Sequence, residues 1–164
     1  ECKNSSRVPV KKSERETAAG TYPYYGASGI VDYVDDYLFE GEHLLISEDG
    51  ANLVARVTPI AFIATGQFWV NNHAHVFAEN GSLDAVYCET LFSLLDLSNH
   101  ITGSAQPKLN KGNLDKIVIP VPPLKIQTRF RQIIENISKI WGQIDERNSA
   151  LMDNSNSLTQ ELIA

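Results

Sequence analysis

The sequence predicts an α+β chain: a domain with a small mixed or antiparallel sheet and helices over residues 1–122, followed by a long projecting coiled-coil helix over 123–164. Three observations predict it. Short apolar runs bounded by Gly, Asn and Asp occupy the middle of the chain, as strands do. An amphipathic stretch with a helix-starting residue follows them. The C-terminal region then repeats apolar residues alternately four and three apart, the spacing of a helix that pairs with another.

Taken in order, Glu1 to about Thr21 is polar and loop-like, and Thr21–Gly29 (TYPYYGASG) reads as a glycine-punctuated aromatic loop. Leu44–Ser47 reads as a short buried strand ending in an Asp49-Gly50 turn, and Asn52–Val57 as another strand. Ile60–Ala64 and Phe68–Phe77 are strands joined at Thr65-Gly66, the pattern of a hairpin. Side chains alternate across a strand, so the second would place Phe68, Val70, Asn72, Ala74 and Val76 on an apolar face. Trp69, Asn71, His73, His75 and Phe77 would lie on a face compatible with water. Ser82 suits the N-cap of a helix from Leu83 to about Leu97, with Asp84 in its first turn and Leu83, Tyr87, Leu91, Leu94 and Leu95 inward. Thr102–Asn110 is a polar loop leading to a last strand at Asp115–Pro120.

Pro122 and Pro123 end that strand and launch a helix from about Leu124 to Ile163, since proline is tolerated in a first turn whose N–H groups have no partner. At about 1.5 Å per residue such a helix is roughly 60 Å long, more than a domain of this size covers, so most of it should project. Its seam is Phe130, Ile134, Ile137, Trp141, Ile144, Asn148, Leu151, Ser155, Leu158 and Leu162, widened early by Ile133 and Ile140. Asn148 and Ser155 trade stability for register. The seam predicts dimerisation through the helix or pairing with a second domain. The competing arrangement is a helix folded back on its own domain.

The chain has 164 residues, 43% hydrophobic and 21% charged, enough for a packed core. Cys2 and Cys88 form no disulfide or metal framework, and neither a signal peptide nor an apolar run of membrane-spanning length is visible, so the cytoplasm is the expected compartment. A start at Glu1 inside a polar tract suggests a piece of something longer. The net charge of −6 argues weakly against nucleic acid, but it is segregated. Glu1–Gly29 carries five basic and three acidic residues, Lys108–Arg131 six basic and one acidic, and Ile30–Asp49 seven acids and no base. That distribution suits a local basic footprint for phosphate on an acidic body, and equally suits ordinary solvated faces.

Catalytic motifs are missing. His73 and His75 could share a metal from one strand face, making a metal-dependent hydrolase one alternative, but no third ligand stands at a suitable spacing. Asp49-Gly50-Ala51-Asn52 lacks the distant Glu of a calcium loop, and Ser28 in Gly26-Ala27-Ser28-Gly29 fails the spacing of a nucleophile elbow. No phosphate loop or dinucleotide fingerprint occurs. Val121-Pro122-Pro123-Leu124 has Val121 where an amino-methyltransferase needs an acid or amide. No catalytic residue, metal or cofactor is expected on this chain.

Leu44–Leu53 (LLISEDGANL), Phe68–Val76 (FWVNNHAHV), Gly103–Leu109 (GSAQPKL) and Leu114–Gln127 (LDKIVIPVPPLKIQ) resemble the target-recognition domain and following helix of type I restriction-modification specificity subunits. A whole specificity subunit resembles two such units in tandem and this chain has one, which implies a fragment or half-size subunit. The resemblance implies reading one half of a bipartite double-stranded DNA target, with paired helices setting the distance between half-sites. It also implies methyltransferase subunits and, through them, restriction subunits as partners. S-adenosylmethionine, ATP and magnesium would belong to those partners.

A domain of that kind must hold phosphates and read base edges. Candidate phosphate contacts are Lys11, Lys12, Arg15, Lys108 and Lys111. Candidate readers are Tyr24, Tyr25, Ser28, Asn52, Arg56, Asn71, Asn72 and His73, because amide and guanidinium groups make bidentate contacts with adenine and guanine. Asn71, Asn72 and His73, like Asp49, Gly50, Gln106 and Pro107, fall inside the resembling stretches and serve equally as supports of the fold. A non-DNA coiled-coil adaptor is the remaining alternative.

Overall fold

The computed structural model describes residues 1–15 and 20–163, with side chains to residue 153. Its elements are α1 (Lys12–Arg15), β1 (Tyr22–Gly26), β2 (Gly29–Val34), β3 (Phe39–Glu40), β4 (His43–Ser47), α2 (Asn52–Ala55), β5 (Ala61–Ala64), β6 (Gln67–Val70), β7 (Ala74–Ala78), α3 (Ala85–Leu94), α4 (Lys111–Leu114) and α5 (Leu124–Ile163). This is an α+β fold with two sheets. One has the order β2-β1-β6-β3, the other β5-β4-β7. All neighbours are antiparallel except β1 and β6, which run parallel through Tyr24 opposite Trp69 and Tyr25 opposite Val70.

The chain forms two compact units, Glu1–Leu124 and Lys125–Ala164. Within the first, β4 is the hinge of the core. Alternation along it sends Leu44 and Ile46 into one cluster with Leu53, Cys88, Phe92 and Leu109. Leu45 goes into a second, with Phe39, Phe68, Val70 and Val76. The N-terminal tract remains mostly irregular but is stitched to the edge of β7, where Lys3 N–H donates to Val76 O at 2.8 Å and Ala78 N–H to Glu1 O at 2.9 Å.

Several local expectations give way to long-range pairing. Thr21–Gly29 is not a loop: Tyr22–Val34 is an antiparallel hairpin with a register shift at Tyr24/Tyr25. Its aromatic and β-branched residues suit a strand. Gly66 does turn the chain with φ +77°, but β5 and β6 form no hairpin because they belong to different sheets. Both backbone edges of β6 are taken by distant partners, β1 and β3. The single strand Phe68–Phe77 is broken at Asn71–His73, where Asn71 Oδ1 accepts the His73 N–H at 2.8 Å and so makes a side-chain-capped turn. Asn72 is therefore exposed rather than part of an apolar face.

Asn52–Val57 is not a strand: Asn52–Ala55 forms a helical turn, with the Asn52 side chain bridging Thr58 N–H and C=O at 3.0 and 2.9 Å. Asp84, not Ser82, caps α3 by accepting the Tyr87 N–H at 3.0 Å, and the helix is shorter than expected. Leu94 at its end is 79% exposed instead of inward. Asp115–Pro120 is no strand either. Asn110 caps α4 upstream, accepting the Asn113 N–H at 2.9 Å, and the prolines that follow lack the donors a ladder needs.

The helix α5 runs over Leu124–Ile163, 40 residues. Ile133, Ile137, Ile140, Trp141, Ile144 and Leu151 along it are exposed, while Phe130 and Ile134 are half-buried. Ser155, Leu158 and Leu162 of the expected seam lie outside the residues whose side chains are described. Among the described residues no helix is long and apolar enough to cross a membrane.

Candidate nucleic-acid interface

The end of β4 is the point on which the polar chemistry of the first unit converges. Glu48 follows Ser47, and its side chain is 14% exposed. One carboxylate oxygen accepts from Arg7 Nη1 at 2.7 Å and the other lies 3.3 Å from Lys108 Nζ. Burial works to raise the Glu48 carboxyl. The hydrogen bond from Arg7, the Arg7 charge and Lys108 together hold it below its ordinary value. His75 on β7 is fully buried, with Nε2 donating to Leu109 O at 2.7 Å. Nδ1 must then accept from the Asn4 amide at 2.8 Å, which makes the ring a neutral tautomer. Burial pushes the His75 pKa down, in agreement.

Three turns meet around Glu48 and His75. The Asn71–His73 turn is tied to it through Glu48 N–H to His73 O at 2.8 Å. Asn71 N–H donates to Tyr25 O at 3.1 Å, joining that turn to β1. The tip of the β1–β2 hairpin is held where Ser47 Oγ donates to Ala27 O. The loop before Leu109 is joined by Leu109 N–H to Glu48 O at 2.8 Å and by Gly50 N–H to Pro107 O at 3.0 Å. Gly103 shapes that loop: at φ +84°, a Cβ there would sit 2.4 Å from Gln106 O. Ser28, Asn72, His73, Gln106 and Lys108 are exposed on this rim, offering hydroxyl, amide, imidazole and ammonium groups from a backbone fixed at many points.

The chain matches, over residues 2–150, the family described as the type I restriction modification DNA specificity domain. It belongs to that family. A putative type I restriction enzyme specificity subunit of Haemophilus influenzae is 36% identical over 140 residues, covering 85% of this chain and 35% of that protein. The EcoprrI type I restriction enzyme specificity subunit of Escherichia coli is 29% identical over 133 residues, covering 81% of this chain and 32% of that protein. A putative type I specificity subunit of Mycoplasma pneumoniae is 21% identical over 140 residues, with 82% and 37% covered. The chain thus spans about a third of the length of the curated relatives it matches.

Within this specificity domain the sequence-derived candidates separate into three groups. Ser28, Asn72, His73 and Lys108 share the rim, and His73 Nδ1 lies 2.9 Å from both Asp49 oxygens. Lys11 and Lys12 are exposed beside a second cluster, where the Arg15 guanidinium binds Asp32 at 2.7 Å and lies 4.7 Å from the centre of the Tyr24 ring. The remaining candidates have other occupations. Tyr24 is 1% exposed and its hydroxyl accepts from Val10 N–H at 2.9 Å. Tyr25 stacks on Phe62 and meets Phe68 edge-on, and burial raises its phenol pKa. Arg56, at φ +51°, donates to Phe92 O and Leu95 O at 3.0 and 2.9 Å and so caps the end of α3. Asn52 closes its own loop, Asn71 is buried in its turn, and Lys111 pairs with Asp115.

His73 and His75 do not converge on a metal. One ring is exposed beside Asp49 and the other is fully buried with both nitrogens bonded. Among the described residues no group of three or more His, Cys, Asp or Glu side chains could hold an ion. Asn4, Arg7 and Glu48 were not among the candidates, and His75 was one only as a metal ligand. Arg7 and Asn4 sit in a polar tract without periodicity, so nothing local marks them as partners of β4 and β7.

Proposed function

We propose that this chain reads one half of a bipartite DNA target as the specificity component of a type I restriction-modification complex. The family membership supports the class of function, and the convergence of three turns on one rim supports the location. In this reading residues 1–122 hold and read the duplex. Ser28, Asn72, His73 and Gln106 reach base edges, while Lys11, Lys12 and Lys108 contact phosphates. Residues 123–164 form the spacer helix, which pairs through Ile134, Ile137, Trp141, Ile144 and Leu151 with a second helix of the same kind. That pairing sets the distance between half-sites. The chain catalyses nothing itself. Methyl transfer and cleavage, with S-adenosylmethionine, ATP and magnesium, reside on methyltransferase and restriction subunits that this protein positions in the cytoplasm.

Duplex binding measured against salt tests the reading. Three phosphates held by the three lysines give a slope of log affinity against log salt of about −2.7, from about −0.9 per phosphate. Binding to duplex that is undetectable, or flat with salt, would turn the assignment toward a helical adaptor.

A further inference from the structure

We propose that Glu48 is a positioning residue for sequence reading: its carboxylate holds Arg7 and Lys108 together and thereby sets the Asn71–His73 turn and the loop ending at Lys108 in one register. The inference rests on the DNA-reading assignment above.

Arg7 is the mechanical part. Its Nη1 donates to Ala74 O at 2.7 Å and reaches Asn72 O at 3.5 Å, while Nε donates to Asn4 O at 3.0 Å. One guanidinium therefore grips carbonyls within and just after the turn that presents Asn72 and His73. Carbonyl dipoles alone do not stabilise a cation whose side chain is only 13% exposed, and the Glu48 carboxylate 2.7 Å away supplies the missing charge. The same residue holds both segments by its backbone, through His73 O and the Leu109 N–H. Glu48 thus touches the turn and the loop twice each, once by main chain and once through a cation.

Its second oxygen faces Lys108, which is 48% exposed and able to turn outward to a phosphate. Replacing the carboxylate by the isosteric amide should therefore have two opposite effects. The rim loses its register, so discrimination between sequences falls. It also loses a negative charge beside Arg7 and Lys108, so sequence-independent attraction to phosphate holds or rises. A residue needed only for folding would lower both together.

The experiment selects duplexes from a library with a randomised centre, using the full chain, and compares wild type with Glu48→Gln and Arg7→Lys. The wild type first defines the enriched sequence. Glu48→Gln should then show at least a tenfold loss in the ratio of affinities for enriched and unrelated duplexes, with unrelated duplex bound as tightly or more tightly. Arg7→Lys keeps the charge beside Glu48 but not the paired donors, Nη1 on Ala74 O and Nε on Asn4 O, that fix the guanidinium against the turn, and should lose discrimination likewise even if Glu48→Gln does not fold. Unchanged discrimination in either folded variant, or a parallel loss of both affinities, overturns the role of Glu48. A wild type that enriches no sequence instead removes the DNA-reading assignment itself.

Discussion

The two units of this chain keep their apolar side chains in opposite conditions. In residues 1–124, Leu45, Phe68, Val70 and Val76 have no measurable exposure and are brought together by strands distant in sequence. In α5, Ile137, Ile140, Trp141 and Ile144 are 45%, 55%, 62% and 41% exposed on a continuous helix. The first unit satisfies its hydrophobic pattern internally. The second carries a pattern whose burial requires another surface, because helices owe most of their stability to packing of the apolar face rather than to propensity.

The largest effect expected from this contrast is on association. Replacing Ile137 and Ile144 together by Lys removes two apolar contacts from the seam, each worth about 1.5–3 kcal/mol when buried. Association through the helix should weaken by roughly 10²-fold or more, from about 1.4 kcal/mol per tenfold change. Sedimentation equilibrium reads this directly, while the unfolding midpoint of the first unit should stay where it is. Equal association by the double variant would show that pairing uses another face.

The reverse experiment leaves the helix alone. Phe68 is stacked on Phe39, with ring centroids 5.6 Å apart, and edge-on to both Tyr25 and His43. Phe68→Ala should cost about 3–5 kcal/mol in denaturant unfolding, because the cavity lies in a cluster shared by both sheets. A loss below about 1 kcal/mol would mean that the second cluster closes over the gap and is not packed as described.

The same contrast explains what could be read from the sequence. The helix α5 was legible at both ends, since Pro122-Pro123 and a repeated apolar spacing are local signals that a single chain displays. The α+β class was legible too, as were β4 and the strand content near β5 and β6. Pairing was not. Nothing within Tyr22–Gly26 announces that Tyr24 and Tyr25 lie parallel to Trp69 and Val70, so an aromatic strand looked like an aromatic loop. The rim was legible only in pieces. Asn72, His73 and Lys108 were visible as donors, but Arg56 looked free until α3 presented its terminal carbonyls, and Glu48 looked like one acid among many until Arg7 arrived from the N-terminus.

Asp84 carries the same comparison to the smallest scale, because its signal is local and lies two residues beyond Ser82. Ser82 and Asp84 are both good capping residues, and the choice between them sets where α3 begins. Asp84 is buried, accepts the Tyr87 N–H, and leaves Ala85, Val86, Cys88 and Phe92 on the buried side. Leu94, expected inward on a helix starting after Ser82, stands at the helix end and lies outside. Asp84→Ala should therefore cost about 1 kcal/mol in unfolding free energy, whereas Asp84→Asn, which keeps an accepting oxygen, should recover most of that. If both variants lose the same amount, the carboxylate acts through its charge at the helix start rather than through the hydrogen bond. Raising the salt concentration would then shrink the loss, since a charge effect is screened and a buried hydrogen bond is not.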